Sequence, residues 1–335
     1  MPSLQKDTNL VPPRLIPSLV EGFNTVASNI YLILFPAFLD LLLWFGPRVS
    51  VKQFFLPLLM DATEVASAAY GDQGMTFIET SREIWSAMLE QFNLLFALRT
   101  FPIGVPSLMI SLGAVENPLG RPMLIELTNG QTIFFWLIAV LFIGLIFGSI
   151  YFSLTANLVR GGGFSLQIKD VIGQTIQGLL LSILLTLALG LLTIPVSCLL
   201  SSILLVVPSL GYMPAVFISM LAIWLLLPVA FSPHGIFNDQ LPAGKAIVVS
   251  WRLVRTLMSP TGLLFIIIIL LGSGLDVLWA TPPVNSWMLL VGIFGHAFIS
   301  TGLLAATFVF YNDGVRWLMS TIKPKKKTEK PSVVS

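Results

Sequence analysis

An uncharged stretch at residues 171–238 limits the fold more than any other feature of the sequence. These 68 residues contain no Asp, Glu, Lys or Arg, and 56% of the whole chain is hydrophobic. Since a helix needs roughly 20 apolar residues to cross a bilayer, the stretch is too long for one crossing and fits two. A segment with Pro and Gly at residues 207–212 marks a turn between them. The sequence therefore predicts a transmembrane helical hairpin at the centre of the chain.

Four other apolar segments resemble the halves of this hairpin in length. Charged residues make up only 10% of the chain, against about 25% in soluble domains. We therefore predict an all-α, polytopic integral membrane protein with six transmembrane helices that form three hairpins. The predicted crossings lie at about residues 24–46, 132–158, 176–199, 213–231, 261–280 and 287–311.

The three hairpins share a plan. A semi-polar amphipathic segment precedes each outward crossing, near residues 14–28, 164–177 and 243–258. The first and fifth crossings also end alike, in Leu-Asp followed closely by Trp. A threefold repeat would produce this plan, and the similarity is also short enough to arise by chance.

The crossings divide the chain into five parts. A leader at residues 1–23 precedes the first crossing at 24–46, and residues 47–130 are predicted to form a mostly helical extracytoplasmic insertion. Residues 131–311 hold the other five crossings, and residues 312–335 form a basic cytoplasmic tail.

The insertion differs in composition from the rest of the chain, with five basic and eight acidic residues between positions 48 and 130. Helical spacing of its apolar residues predicts two helices, at about 51–70 and 76–98. The apolar segment 101–114 is broken by two prolines and a glycine and is too short to span. We expect this segment to be interfacial or re-entrant.

The second crossing carries a small-xxx-small pair, Gly144 and Gly148. Such a pair lets another helix approach closely. Because the pattern is common in membrane helices, it predicts ordinary tight packing rather than a dimer interface.

The distribution of basic residues predicts the orientation. If both termini are cytoplasmic, 13 of the 18 basic residues lie inside, and the two short outside turns near Gly211 and Pro283 carry none. The other five lie in the long insertion, and long segments translocate with little regard to charge. We therefore predict a multi-pass protein of the plasma membrane with cytoplasmic N- and C-termini.

The pattern of apolar and basic side chains at residues 241–258 predicts an amphipathic helix at the inner membrane surface. One face is apolar, whereas Lys245, Arg252 and Arg255 lie off it and Trp251 sits near its edge. We expect these four side chains to contact anionic lipid headgroups. The tail lysines next to the last crossing indicate lipid contact as well, and not nucleic-acid binding; they are Lys325, Lys326 and Lys327.

The same region carries a resemblance to known proteins. The segment AIVVSWRLVR at residues 246–255, followed at once by an apolar span, resembles uncharacterised six-helix bacterial membrane proteins. These include the membrane domain attached to some glycerophosphodiester phosphodiesterases. The likeness extends in pattern over residues 164–311. It implies a fold and a membrane location, and it implies no activity, because the chain has no room for the soluble phosphodiesterase domain.

The sequence contains none of the catalytic motifs that carry a known mechanism. It has no P-loop, no H-E-x-x-H, no G-x-S-x-G and no C-x-x-C, which would supply phosphate-binding, zinc, serine-nucleophile or redox chemistry. One cysteine and two histidines are too few for a Cys or His metal site. We therefore expect no enzymatic activity, no cofactor and no metal.

Three ionisable side chains fall inside predicted crossings: Asp40, Asp276 and His296. Ionisable groups within a span are costly and are functional candidates. The alternative is a structural role, since both aspartates lie within about two turns of a helix end, where water or headgroups reach, and a neutral His can bond between helices. We expect the two aspartates to lie at the same depth and to play equivalent structural parts.

Three functions compete. The first is a non-enzymatic scaffold, assembly factor or partner subunit of a membrane complex, which binds a protein through residues 48–130. The second is a small transporter or lipid-handling permease that uses Asp40, Asp276 and His296 in the bundle interior. The third is a lipid-modifying enzyme, for which the sequence offers no cluster of polar residues. A polar cavity that joins the three side chains would favour transport, and a filled core would favour the scaffold.

Overall fold

The fold is taken from a computed structural model, which describes residues 11–67, 74–164, 166–206 and 213–322. Within these residues, five helices are long and apolar enough to cross a membrane, and one bent helix pair adds a sixth if it is counted as a single span. The prediction of a helical, multi-pass membrane protein is confirmed. The predicted turn at 207–212 and the lysines at 325–327 lie outside the described residues.

Helices make up most of the described chain. In chain order they are α1 (Leu15–Ser28), α2 (Leu34–Phe45), α3 (Lys52–Ser67), α4 (Gly74–Gln91), α5 (Leu108–Leu112), α6 (Gly130–Val159), α7 (Ile168–Val206), α8 (Met213–Leu226), α9 (Ser232–Asp239), α10 (Ala243–Thr256), α11 (Met258–Trp279) and α12 (Leu289–Ile322).

Two three-residue strands lie within the otherwise helical fold. Strands β1 (Arg48–Ser50) and β2 (Leu124–Glu126) pair in parallel, with Val49 opposite Ile125. They lie at the two ends of the insertion, so the ladder closes it at its base. The sequence analysis missed these strands because each is too short to show alternation of apolar and polar residues.

The predicted first crossing is not one straight helix. Helices α1 and α2 meet at an angle of 92°, separated by a 3₁₀ turn at Ile30–Ile33. The break falls at Asn29, whose side chain donates to the Thr25 carbonyl (2.8 Å) and accepts from the Tyr31 hydroxyl (2.7 Å). These local bonds compete with the helical ladder. As a result, α1 packs along α12, where a Cβ on Gly22 would lie only 2.4 Å from the Ala306 amide nitrogen.

The ends of α6 follow from its sequence. Asn129 caps the N-terminus through a 2.8 Å bond from the Gln131 amide to its side chain, and Gly161 follows the C-terminus with a φ of 78°. An Asn cap and a left-handed Gly are the usual start and stop of a helix. The 30 residues between them extend over about 45 Å at 1.5 Å per residue, enough to cross a bilayer and project beyond it.

The core lies where α2, α6, α7 and α12 meet. Its largest fully buried side chains are aromatic: Trp44, Tyr151, Phe237 and Phe308. Helix α12 contacts α1, α2, α6 and α11, so it is the element around which the others pack. Its small residues Ala297, Ala305 and Ala306 are fully buried and leave room for these neighbours.

The fourth crossing extends beyond its predicted end at Phe231. After α8, a 3₁₀ turn at Leu227–Val229 leads into α9, and the combined apolar segment reaches Asp239. Residues 232–238 are all buried, although their sequence, Ser-Pro-His-Gly-Ile-Phe-Asn, is half polar. Because about half of these residues are polar, the sequence analysis ended the fourth crossing before this short buried helix.

Candidate functional site

Asp40 lies on α2. Its carboxylate reaches the N-terminus of α5, a short helix of the insertion. It accepts bonds from the Ser107 hydroxyl (2.5 Å), the Leu108 amide (3.1 Å) and the Met109 amide (3.0 Å). An acid at this position satisfies helix N–H groups that have no partner within the helix and meets the positive end of its dipole. Because Asp40 is completely buried, this contact ties the insertion to α2 inside the protein.

A second contact brings the insertion against the middle of α6. A Cβ on Gly144 would lie 2.3 Å from the Leu98 carbonyl oxygen, and one on Gly148 would lie 2.7 Å from the Ile103 carbonyl oxygen. The small-xxx-small pair therefore receives an irregular backbone segment, and not the neighbouring helix that we expected. Non-helical backbone at membrane depth is tolerated where protein buries it, as it does at Ile103, which is fully buried.

The base of the insertion is joined to the ends of the membrane helices. Asn93 accepts from the Val49 amide (3.0 Å), and Asn117 donates to the Trp44 carbonyl (3.0 Å). The Trp44 indole in turn donates to the Val284 carbonyl (2.8 Å) in the α11–α12 connection. Three separate parts of the chain are thus fixed at one end of the bundle.

Helices α3 and α4 form a hairpin, which we call the arm. Its base is held by a contact from the Arg48 guanidinium to the Glu90 carbonyl and by a 3.4 Å ion pair between Lys52 and Glu90. Burial lowers the pKa of Arg48, and the nearby Glu90 acts in the opposite direction. Beyond this base, α3 and α4 pack chiefly on each other.

The arm exposes large apolar side chains along its length. Val65 and Met75 are 79% and 70% exposed. Leu58, Ile84 and Met88 are also more than half exposed. Helix α4 ends at Gln91, earlier than predicted, since Asn93 starts a 3₁₀ turn that carries Leu95 and Phe96 away from this face.

The three intramembrane ionisable residues do not form one site. His296 Nδ1 lies 2.7 Å from Asp276 Oδ1, while Asp40 is bonded to Ser107 and to the start of α5. None of the three lines any of the five cavities described for this molecule. The two aspartates also differ, because the Asp276 side chain is 36% exposed and Asp40 is fully buried. Their parts are therefore not equivalent, contrary to our expectation.

The residues predicted to contact headgroups lie on α10. Lys245, Arg252 and Arg255 are exposed and Trp251 is 41% exposed, while Leu253 on the other face is completely buried. This arrangement leaves the cations available to a membrane surface.

Sequence reasoning missed a polar cleft near α10. It has a volume of about 300 Å³ and is lined by Lys169, Asp170, Gln174, Gln177 and Gln240 among others. The two α7 glutamines fall in the amphipathic segment before the third crossing, and their spacing of three residues was the available signal. Gln177 accepts from the Ala243 amide (2.9 Å), so its side chain holds the start of α10 against α7.

Comparison of the chain with protein-family models, curated proteins and solved structures finds no match. The resemblance carried by residues 246–255 stays a prediction. Among the described residues, no group of three or more His, Cys, Asp or Glu side chains could hold a metal ion.

Proposed function

We propose that this protein is a non-enzymatic membrane scaffold or partner subunit that presents the arm to another protein. The observation that carries the proposal is the combination of a fixed base and an exposed apolar surface in one helical hairpin. Several large apolar side chains exposed on one hairpin are typical of a site of association. The buried bonds of Asp40 and the glycine contacts of α6 hold the insertion in place, as presentation to a partner requires.

The charge of the arm defines the partner. Residues 52–91 contain two basic and six acidic residues, so the arm that carries the exposed apolar side chains has a net negative charge. A complementary partner is a protein segment with an apolar helical face flanked by Lys or Arg, because such a pairing matches both the apolar and the charged parts. The same negative charge disfavours an arm lying on an anionic lipid surface.

The proposal includes a topology. We infer that α1 with α2 forms one bent crossing, that six crossings form three hairpins, and that both termini are cytoplasmic in a bacterial plasma membrane. The arm is then extracytoplasmic. The 13-to-5 division of basic residues supports this orientation. In a chain with Cys198 replaced by Ser, a membrane-impermeant thiol reagent should label Asn285→Cys in intact cells and should not label Lys245→Cys. The reverse pattern would overturn the orientation.

The competing transport function gains less support. A carrier that used Asp40, Asp276 and His296 would place them around a shared polar cavity. Asp40 is instead completely buried, and both of its carboxylate oxygens accept bonds from the insertion. Lys245, Arg252 and Arg255 of α10, with lipid headgroups as their expected partners, then fix the inner side of the scaffold at the membrane.

Photo-crosslinking in living cells tests the scaffold. A photoreactive amino acid at Val65 or Ile84 should give a discrete protein adduct, since both side chains are exposed on the arm. The matched control is Val248, which is 48% exposed on α10, away from the arm. Glu79→Lys with Glu83→Lys should weaken the adduct by removing charge complementarity. Equal adducts at all three positions, or adducts with lipid alone, would refute the proposal.

A further inference from the structure

We infer that the polar cleft near α10 binds the phosphoethanolamine headgroup of a membrane lipid. The cleft has a volume of about 300 Å³, and a second cavity of about 170 Å³ adjoins it, since Asp170, Gln174 and Gln240 line both. Together the two cavities form one polar groove where α6 ends and α7 begins, at the boundary of the membrane region. The inference depends on the membrane-spanning fold and not on the proposed scaffold function.

Each of the two cavities has one basic and one acidic side chain in its lining. Lys169 and Asp170 line the larger cavity, and Arg160 and Asp170 line the smaller one. None of these three side chains forms an ion pair within the part of the chain that the structure describes. The two cations favour an anionic group in a ligand, and the Asp170 carboxylate favours a cationic group beside it. The lining therefore matches a zwitterion.

The guanidinium group of Arg160 is held in place by the protein itself. It donates to the Asn238 carbonyl and, at 3.2 Å, to the side-chain oxygen of Asn157. Because a guanidinium group has five N–H donors, these two bonds leave others for a ligand. A side chain that is fixed in advance loses less entropy on binding, and guanidinium donors suit phosphate oxygens. We therefore assign the phosphate group to Arg160.

Gln177 adds an uncharged donor to the larger cavity. The Ala243 amide can only donate a hydrogen bond, so the atom that it contacts at 2.9 Å is the Gln177 oxygen. The Gln177 NH₂ group and the Asp170 carboxylate have no hydrogen-bond partner among the described residues. The NH₂ group matches a phosphate or ester oxygen, and the carboxylate matches an ammonium group.

The surroundings of the groove indicate that the ligand is a lipid. Ile172 and Ile176 follow Lys169 by three and seven residues, so all three side chains share one side of α7. The two isoleucines are 55% and 58% exposed, and a bilayer would cover them with hydrocarbon. A headgroup in the groove therefore has an exposed apolar surface beside it, against which its acyl chains can pack.

Other common headgroups match the lining less well. A purely anionic headgroup places its phosphate near the Asp170 carboxylate and brings no positive charge to offset the repulsion. Phosphocholine has a positive charge but no N–H group, so it cannot donate a hydrogen bond to Asp170. Phosphoethanolamine supplies the phosphate, the positive charge and the donors together.

Native mass spectrometry of the purified full-length protein tests the inference. The protein is mixed with equal amounts of phosphatidylethanolamine, phosphatidylcholine and phosphatidylglycerol that carry the same acyl chains. We expect phosphatidylethanolamine to bind about tenfold more tightly than phosphatidylcholine, equal to about 1.4 kcal/mol, because methylation removes the charge-assisted hydrogen bond to Asp170. Equal binding of these two lipids, or tighter binding of phosphatidylglycerol, would overturn the inference. Displacement of the lipid by an equal concentration of soluble glycerophosphoethanolamine would overturn the assignment to a lipid.

Two variants assign the contacts to residues. Asp170→Asn removes the negative charge, so binding of phosphatidylethanolamine should fall to the level of phosphatidylcholine. This variant loses no hydrogen bond of the carboxylate within the described protein, so it should fold. Arg160→Gln should weaken both lipids by a similar factor and keep their ratio. Lys245→Gln, on α10 and outside the groove lining, is the control and should keep the ratio as well. A preference for phosphatidylethanolamine that persists in Asp170→Asn would overturn the inference.

Discussion

Replacing Asp40 tests whether the α2 carboxylate holds the insertion. Ser107 and Met109 both donate to Oδ1, and Leu108 donates to Oδ2. Asp40→Asn can keep the first two bonds through its carbonyl oxygen, but it places an NH₂ group opposite the Leu108 amide. Asp40→Leu removes all three acceptors.

The structure gives a magnitude for each change at Asp40. A buried donor left without an acceptor costs about 1–3 kcal/mol. Asn leaves one backbone N–H unsatisfied and should cost about 1–3 kcal/mol, while Leu leaves two and should cost about 2–6 kcal/mol. The Ser107 hydroxyl adds little to the second figure because it can rotate towards another acceptor. Asn is therefore expected to be the milder change, and not a neutral one.

Hydrogen exchange of residues 98–112 in the purified protein is the direct assay. The free energy of local opening falls by the cost of the mutation, and exchange accelerates about tenfold for each 1.4 kcal/mol. The control is Asp276→Leu, which should leave exchange in this segment unchanged because Asp276 bonds to His296 on α12. Identical protection in wild type and Asp40→Leu would refute the anchoring role. A fully protected Asp40→Asn protein that has lost its cellular function would instead favour the transport hypothesis.

Two further predictions concern packing and pairing. Gly144→Ala should destabilise the protein by about 1–3 kcal/mol, the cost of overpacking, because the added Cβ meets the Leu98 carbonyl. Thermal melts measure the change. The matched control is Gly274→Ala, whose Cβ meets nothing within 4 Å. A double-mutant cycle with Asp276→Asn and His296→Phe should show a coupling energy of about 0.5–3 kcal/mol, and strictly additive losses would contradict the 2.7 Å pair.

The membrane architecture could be predicted from the sequence because it depends on length and hydropathy alone. The 68 uncharged residues at the centre have few other stable arrangements. The bend at Asn29 could not be predicted, since it depends on the bonds of one of several polar side chains at residues 24–29. A window average does not register the local bonds that this side chain makes.

The candidate site was predicted only in its parts. Pro102 and Gly104 marked segment 101–114 as broken, and Gly144 marked α6 as open to close approach, but nothing local says that the two meet. The bonds from the α5 N-terminus to Asp40 join residues 67 to 69 positions apart. Such pairings are decided by which buried acceptor remains free once the helices pack, and this is a property of the whole fold.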